Sequence, residues 1–345
     1  MNPKSVLMIV ARYPATHGHT TVIDNLCICL NKMGIRTDVG AFEFDRDPPS
    51  NTGKILLNKK KSFFAGVNNL DYDIIHIHQP RVNYYLLSVK PAKTIILHYH
   101  GASTIIHEIN FKLSMMLHKK RISKIIAVSN AAVSQIKRIA GDLDPEVVYN
   151  GVDINFFKPG LSHPYQKGVP QLLFVSALRK YKNTQTIIKA MPLLLKKYPK
   201  AHLQIVGDGE EFQNLSKLIE QKGLRESVEL IGNISDQKEL CLRYSSCDLY
   251  LSASKIEACP VPPFEAMACG KPVVLYDIEA HREIINSSSA GIIFHSEDEV
   301  EICNKISEAY ENRVQLGKMA RKFAEEHDWS ITCNKIVNIY KKFMK

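Results

Sequence analysis

No stretch of this sequence approaches eighteen uninterrupted apolar residues, which excludes an ordinary membrane-spanning helix. The expectation is a soluble or peripherally attached protein, cytoplasmic by default. The amino-terminal text MNPKSVLMIVARYPATHG holds an apolar run, VLMIV, of only five residues. That is too short for the hydrophobic region of a secretory signal and reads as a buried first strand. The eight cysteines contain no C-x2-C pair and lie in apolar text, so they read as reduced packing residues and argue against a zinc site. Repeats of 20 to 50 residues and low-complexity tracts are missing too, leaving no sign of a solenoid.

What is present suits a globular enzyme. The 345 residues have room for two domains, and 45% of them are hydrophobic, with 17 Gly and 16 Pro. The net charge of +10 is uneven: residues 1–150 carry 19 Lys and Arg against 11 Asp and Glu. Within 54–124 there are 12 basic residues and 3 acidic ones, an excess that would attract an anionic lipid surface or acceptor, or merely keep the surface solvated.

Short β-branched runs alternate with longer amphipathic segments, as in βαβ units with a parallel sheet. The pattern occurs twice. Strands are expected at 6–10, 37–42, 74–78, 94–98, 125–128 and 147–149, with helices including 20–33 and 130–139. Residues 150–170, rich in Pro, Gly and polar side chains, read as a linker. A second series follows, with strands at 172–175, 202–206, 228–231, 249–252 and 272–276 and helices at 184–198, 210–222, 237–244 and 263–268. The text from 329 to 345 is a basic amphipathic helix that could pack back on the first domain. The domain boundaries expected are therefore 1–160, 161–328 and the helix 329–345.

Several motifs carry chemistry. In IVGDGEEFQNLSKLIE a strand runs through Gly207, Asp208 and Gly209 into a helix, the junction where open parallel sheets bind ligands. The glycines would let a phosphate approach the backbone, or simply make a tight turn. In SKIEACPVPPFEAMACGKPVV, Glu257 and Glu265 stand on the loop before a helix and at its start, facing one cleft. Carboxylates there could each accept two hydroxyl hydrogen bonds from a ribose or a hexose, while Glu265 could alternatively favour the helix dipole. FVSALRKYKN offers Arg179, Lys180 and Lys182, either as diphosphate ligands or as a charged turn. His100 ends a strand in LHYHGAS; His98 is assigned to the opposite face and a structural role. His76 and His78 in DIIHIHQP share a face, with His78 nearer the strand end, as a cleft residue or as core. Asp71-Tyr72-Asp73 spells D-x-D but precedes its strand, at the wrong end for a ligand, so no metal requirement is expected. Lys59 to Lys61 with Phe63 and Phe64, and Met115-Met116 with His118 to Arg121, mix basic and apolar residues. Each could rest on an anionic membrane or be a solvated run beside core residues.

Together DIIHIHQP, HYHG, IIAVSN, VVYNGVDINFFKP, LQIVGDGEE and the E-x7-E element with PPFEAMACGKPVV, in that order and spacing, resemble the family-4 (group 1) retaining glycosyltransferases of GT-B fold. The resemblance covers essentially the whole chain. It implies an α/β architecture of two facing Rossmann-like domains, each a parallel sheet flanked by helices, the first taking the acceptor and the second a nucleoside diphosphate sugar. Domain closure would assemble the site. It further implies that Glu265 binds the nucleotide ribose, that Glu257 binds the transferred sugar, and that amides around Ala258, Cys259 and Val261 line the diphosphate. Lys182, with Arg179 nearby, would neutralise the leaving group, and Gly18 would admit the donor phosphate near the first strand. His100 would contact the sugar. The chain departs from the family at Ala177, where an arginine is usual, and at His19 and Ala258, where glycines are usual. The implied reaction moves a hexose, with retention and without a cofactor, to a hydroxyl of a glycolipid or cell-surface glycan precursor. Nucleic acid is not an expected partner. A nucleotide-sugar 2-epimerase and a catalytically degenerate sugar- or lipid-binding module are the alternatives.

Overall fold

The computed structural model describes residues 3–15, 19–57, 71–79 and 94–344. Gly18, Lys59 to Lys61, Phe63 and Phe64 lie outside the described residues. By its internal contacts the chain divides into one unit of Met1–Gly151 with Trp329–Lys345 and another of Val152–Asp328.

The first unit contains β1 (Ser5–Ile9), β2 (Arg12–Tyr13), α1 (His19–Lys32), β3 (Arg36–Ala41), β4 (Glu43–Phe44), β5 (Gly53–Leu56), β6 (Ile74–Ile77), β7 (Thr94–Tyr99), α2 (Ile105–His118), β8 (Lys124–Ala127), α3 (Asn130–Ala140) and β9 (Glu146–Val147). The second contains β10 (Gln171–Val175), α4 (Thr184–Lys197), β11 (His202–Val206), α5 (Phe212–Gln221), β12 (Val228–Gly232), α6 (Gln237–Ser246), β13 (Leu249–Ser252), α7 (Val261–Ala268), β14 (Val273–Tyr276), α8 (Glu279–Ser288), β15 (Gly291–Phe294), α9 (Glu299–Glu311) and α10 (Arg313–Glu325). The closing helix, α11 (Trp329–Phe343), belongs to the first unit.

Each main sheet is parallel throughout, ordered β5-β3-β1-β6-β7-β8-β9 in the first unit and β12-β11-β10-β13-β14-β15 in the second. Both orders run outward one way from the first strand and then reverse, the doubly wound arrangement. Burial explains why the central strands read as unbroken apolar runs: β1, β6 and β11 are buried at every position because helices cover both faces. The edge strands β5 and β15 were not among the sequence expectations. Their text, GKIL and GIIF, is short and only partly buried, so its pattern is weak.

α11 completes the first core. Trp329, Cys333, Ile336 and Tyr340 pack with Val6, Met8, Val22 and Leu26, and Gly151 leaves room for the indole. A Cβ at Gly151 would lie 2.7 Å from Trp329 Cδ2. Truncating this buried side chain should cost roughly 3–5 kcal/mol. Guanidinium unfolding of Trp329→Ala is the check; a loss below about 1 kcal/mol would show that the helix adds little to the first unit.

Candidate active site

In a doubly wound sheet the crevice for a ligand opens at the carboxyl ends of the strands, where the order reverses. In the second unit that point lies between β10 and β13, so the two loops beside it are 176–183 and 253–260. The backbone ties them together, Lys255 N donating to Tyr181 O at 2.9 Å. Across this junction Lys182 Nζ donates to Glu257 Oε1 at 2.5 Å, each side chain about 15% exposed. An ion pair this enclosed needs further polar partners to offset its desolvation, so it is well placed to exchange its internal contact for a charged ligand.

The rest of the motif is placed by α7. Its first turn contains Pro262 and Pro263, tolerated because amides there have no helical acceptor, and Gly270, at φ 72°, follows its end. Glu265 therefore stands one turn inside the helix and not at its start, so it caps nothing; its Oε2 accepts from Tyr244 Oη at 2.8 Å. Burial pushes its carboxyl up to about 7, against the opposing effect of the tyrosine hydrogen bond. Ala258 and Val261 remain partly exposed and Cys259 is buried. All eight cysteines are free thiols.

Gly207 is held by the protein itself. Its amide donates to Gly232 O at 2.8 Å, its φ is 138°, and a Cβ would fall 1.8 Å from Ser176 O. Here glycine permits two backbones to approach each other, with Leu178 N donating to Asp208 O at 2.9 Å. Arg179 is partly exposed and enters no ion pair among the described residues, while Ala177 is exposed beside it. Two residues here escaped the sequence reading. Tyr244 orients Glu265, and His281, fully buried, donates from Nδ1 to Tyr276 O at 2.7 Å, with no hydrogen bond at Nε2 among the described residues. Burial lowers its basicity, with Glu257 and Lys182 acting on it in opposite senses. The only signal for His281 was its place on the apolar face of α8 beside Ala280 and Ile284.

In the first unit the order reverses between β1 and β6, and Gln79 Oε1 accepts from Ala11 N at 3.2 Å across that point. Five histidines, His19, His76, His78, His98 and His100, crowd together there. His78 Nδ1 lies 3.0 Å from His100 Nε2, His98 stacks on His100 at 4.4 Å, and His19, the first residue of α1, meets His100 edge-on at 4.6 Å. His98 is thus on the same face as His100, correcting the sequence expectation: residues two apart in a strand share a face. Gln135, also unforeseen, fixes the following loop by accepting from Ala102 N at 2.9 Å and donating to Ala102 O at 2.8 Å.

His76, His78 and His98 form the group of potential metal ligands found among the described residues, their nitrogens within 4.8 Å of one another. A metal must lie in the plane of every imidazole that binds it. His76 instead stacks on His78 and His98 with interplanar angles of 19° and 18°, which sets their lone pairs side by side. The D-x-D text offers no open ligand pair, since Asp73 Oδ2 accepts from Lys4 N at 2.6 Å and Ser5 N at 3.1 Å.

Two parallel α/β units with polar clusters at their order reversals define the class, and sequence comparison identifies it. Residues 162–327 match the family described as glycosyl transferases group 1 and residues 16–156 match glycosyltransferase family 4; the chain belongs to this family and is a glycosyltransferase. It is 25% identical over 285 residues to a phosphatidyl-myo-inositol mannosyltransferase of Mycobacterium leprae, covering 78% of this chain and 73% of that one. It is 24% identical over 351 residues to a D-inositol 3-phosphate glycosyltransferase of Corynebacterium urealyticum, covering 90% and 78%. Among solved structures, Anabaena HepE in complex with UDP and glucose superposes with a TM-score of 0.81 at 18% identity over 97% of this chain and 99% of that one. Sucrose-phosphate synthase of Thermosynechococcus elongatus does so with 0.81 at 16% over 98% of each. The fold is GT-B.

The raised carboxyl of Glu265 yields a signed expectation. The folded protein holds a proton there between pH about 4.5 and 7 that the unfolded chain releases, so stability falls as pH rises through that window. Glu265→Gln cannot release it and should gain roughly 2–3 kcal/mol relative to wild type from pH 4.5 to 7.5, allowing for partial exposure. Parallel urea melts of the two proteins over that range would contradict a raised carboxyl.

Proposed function

We propose that this chain is a retaining hexosyltransferase that takes a sugar from a nucleoside diphosphate sugar and delivers it to a hydroxyl of a glycolipid or cell-surface glycan precursor. The observation that carries the reading is the Lys182–Glu257 pair at the order reversal of the second sheet. The second unit takes the donor. A bound diphosphate draws the ammonium of Lys182 away from Glu257, with Arg179 as the nearby second cation in place of the arginine absent at Ala177. Glu257, so released, accepts from hydroxyls of the transferred sugar. Glu265, steered by Tyr244, receives the ribose hydroxyls, and amides near Ala258, Cys259 and Val261 face the phosphates. Pro260, Pro262 and Pro263 have no N–H to offer. Gly207 shapes the loop beneath, and Gly18 is assigned to the donor phosphate by family resemblance alone.

The first unit, 1–160 in the sequence division, takes the acceptor, with His100 against the sugar. The bond from the anomeric carbon to the diphosphate oxygen breaks as the acceptor oxygen bonds the same face. The acceptor proton passes to the departing phosphate, so no residue need act as nucleophile and no cofactor is required. UDP-glucose is a reasonable first donor, since HepE, which shares the fold, is described with UDP and glucose.

An anionic membrane at the cytoplasmic face fits the outward side of α2. Ile105, Ile106, Ile109, Leu113, Met116 and Leu117 are between 43% and 74% exposed, opposite the buried side of Phe111, Ser114, Met115 and His118. Lys112, Lys119, Lys120 and Arg121 accompany this apolar face, the composition of a helix lying in a lipid interface. The mannosyltransferase relative, whose name specifies a phosphatidylinositol, agrees with a lipid acceptor. No helix among the described residues is long and apolar enough to cross a membrane.

Incubation with labelled UDP-, GDP- and ADP-sugars and lipid extracts should give a product with the donor's anomeric configuration, and Lys182→Ala should lower the rate about a hundredfold or more. Conversion of donor without acceptor would select an epimerase instead, donor binding without any turnover would select a non-catalytic binder, and wild-type rates for both Lys182→Ala and Glu265→Ala would remove those residues from the reaction. Sedimentation with vesicles containing phosphatidylglycerol should pellet the wild type and leave most of Ile109→Glu/Met116→Glu in solution. Equal pelleting would overturn the membrane assignment of α2, and dimerisation lost in the double variant would assign that face to a second copy.

A further inference from the structure

The histidines at the order reversal of the first sheet form a hydrogen-bonded series whose proton positions follow from their end groups. His78 lies between two partners: its Nε2 is 3.4 Å from Met8 Sδ, and its Nδ1 is 3.0 Å from His100 Nε2. A thioether sulfur has no proton to give, so in the first contact His78 Nε2 must be the donor. Burial among other rings keeps the His78 imidazole neutral, which leaves one proton for its two nitrogens. With that proton on Nε2, His78 Nδ1 carries a bare lone pair. The contact with His100 then requires that His100 Nε2 donate.

His100 is itself held neutral by the same crowding, so once its proton is on Nε2 its Nδ1 is bare. Among the described residues His78 and His100 make no other hydrogen bond, and His19 meets His100 edge-on at 4.6 Å. His98, stacked on His100 at 4.4 Å, has no hydrogen-bond partner at either nitrogen among the described residues and fixes only the plane of the ring. His76, stacked on His78 at 4.5 Å, directs its Nδ1 to Tyr340 Oη at 2.5 Å on α11. His100 alone among these four keeps some contact with solvent.

We infer that His78 is a positioning residue for sugar transfer, holding His100 as its Nε2–H tautomer so that His100 offers Nδ1 as an acceptor to a hydroxyl of the transferred sugar. The orienting partner on the far nitrogen sets what the near nitrogen can do, as it does for histidines that bind metals. The ring that meets the sugar is then an acceptor only. It favours a sugar with a free hydroxyl at that point over a deoxy analogue or one whose hydroxyl is blocked. The sugar contact rests on the proposed role of His100, but the tautomer does not.

The test is a long-range proton–nitrogen correlation spectrum of the 15N-histidine-labelled enzyme, with the His100 signals assigned by their loss in His100→Asn. The expected result is a protonated Nε2 and a bare Nδ1 at His100 that persist from about pH 6 to 8, because the ring stays neutral. A proton on His100 Nδ1 in the wild type overturns the inference without any variant having to fold. In His78→Phe the His100 signals should shift towards a mixture of tautomers, and kcat/KM should fall about tenfold or more. In His78→Gln, whose side-chain carbonyl can accept from the same N–H, most of the loss should be recovered. Equal kcat/KM in wild type and His78→Phe would also overturn it. A wild type that turns over no donor contradicts the proposed activity while leaving the tautomer to be read from the spectrum.

Discussion

In a parallel sheet every strand ends at the same edge, and each connection must return along a face before the next strand begins. Where successive strands are added first on one side of the starting strand and then on the other, two loops leave in opposite directions and nothing fills the space between them. This chain imposes that constraint twice, beside β1 and beside β10. The polar groups with unusual environments gather at those two points. Lys182 and Glu257 meet at the second, and His78 meets His100 beside the first. The remainder of each unit serves to hold those strand ends in register: central strands buried on both faces, helices covering them and, in the first unit, α11 closing the core through Trp329 and Tyr340.

The two points carry different chemistry for one physical reason. In the second unit opposite charges face each other, so a pair with little solvent can persist until a charged ligand replaces one member. In the first unit the histidines are surrounded by one another, the Met8 sulfur and the Tyr340 hydroxyl, none of them charged, so burial suppresses charge and hydrogen-bond direction is the information left. A donor diphosphate calls for the first kind of environment. A neutral hydroxyl is better recognised by the second.

Much of this was legible in the sequence because the signals were local. Alternating apolar runs and amphipathic segments marked the two α/β units, and the spacing from Glu257 through PPFEAMACGKPVV marked the loop and α7. Relations between distant segments were not legible. Glu265 looked like part of the start of a helix over 263–268, yet α7 begins at Val261 and the carboxyl turns to Tyr244 of α6. Gly207 read as a phosphate cradle or a tight turn, whereas its missing side chain accommodates the carbonyl of Ser176. His98 was put on the wrong face although the two-residue repeat sufficed to place it. Gln135 and His281 sit on helix faces that otherwise pack inward, a polar residue on an apolar stripe being the one available sign. The outward apolar side of α2 was half seen: Met115 and Met116 read as a pair, but one is core and the other is 74% exposed.

The central claim is that the junction holding Lys182 and Glu257 binds the diphosphate of a nucleotide sugar, and calorimetric titration measures that most directly. Nucleoside diphosphates titrated into the wild type should bind with one site per chain, and Lys182→Ala should weaken the preferred one by at least about tenfold, or 1.4 kcal/mol. Unchanged affinity in a folded Lys182→Ala protein, or no binding of any nucleoside diphosphate to the wild type, would contradict the account.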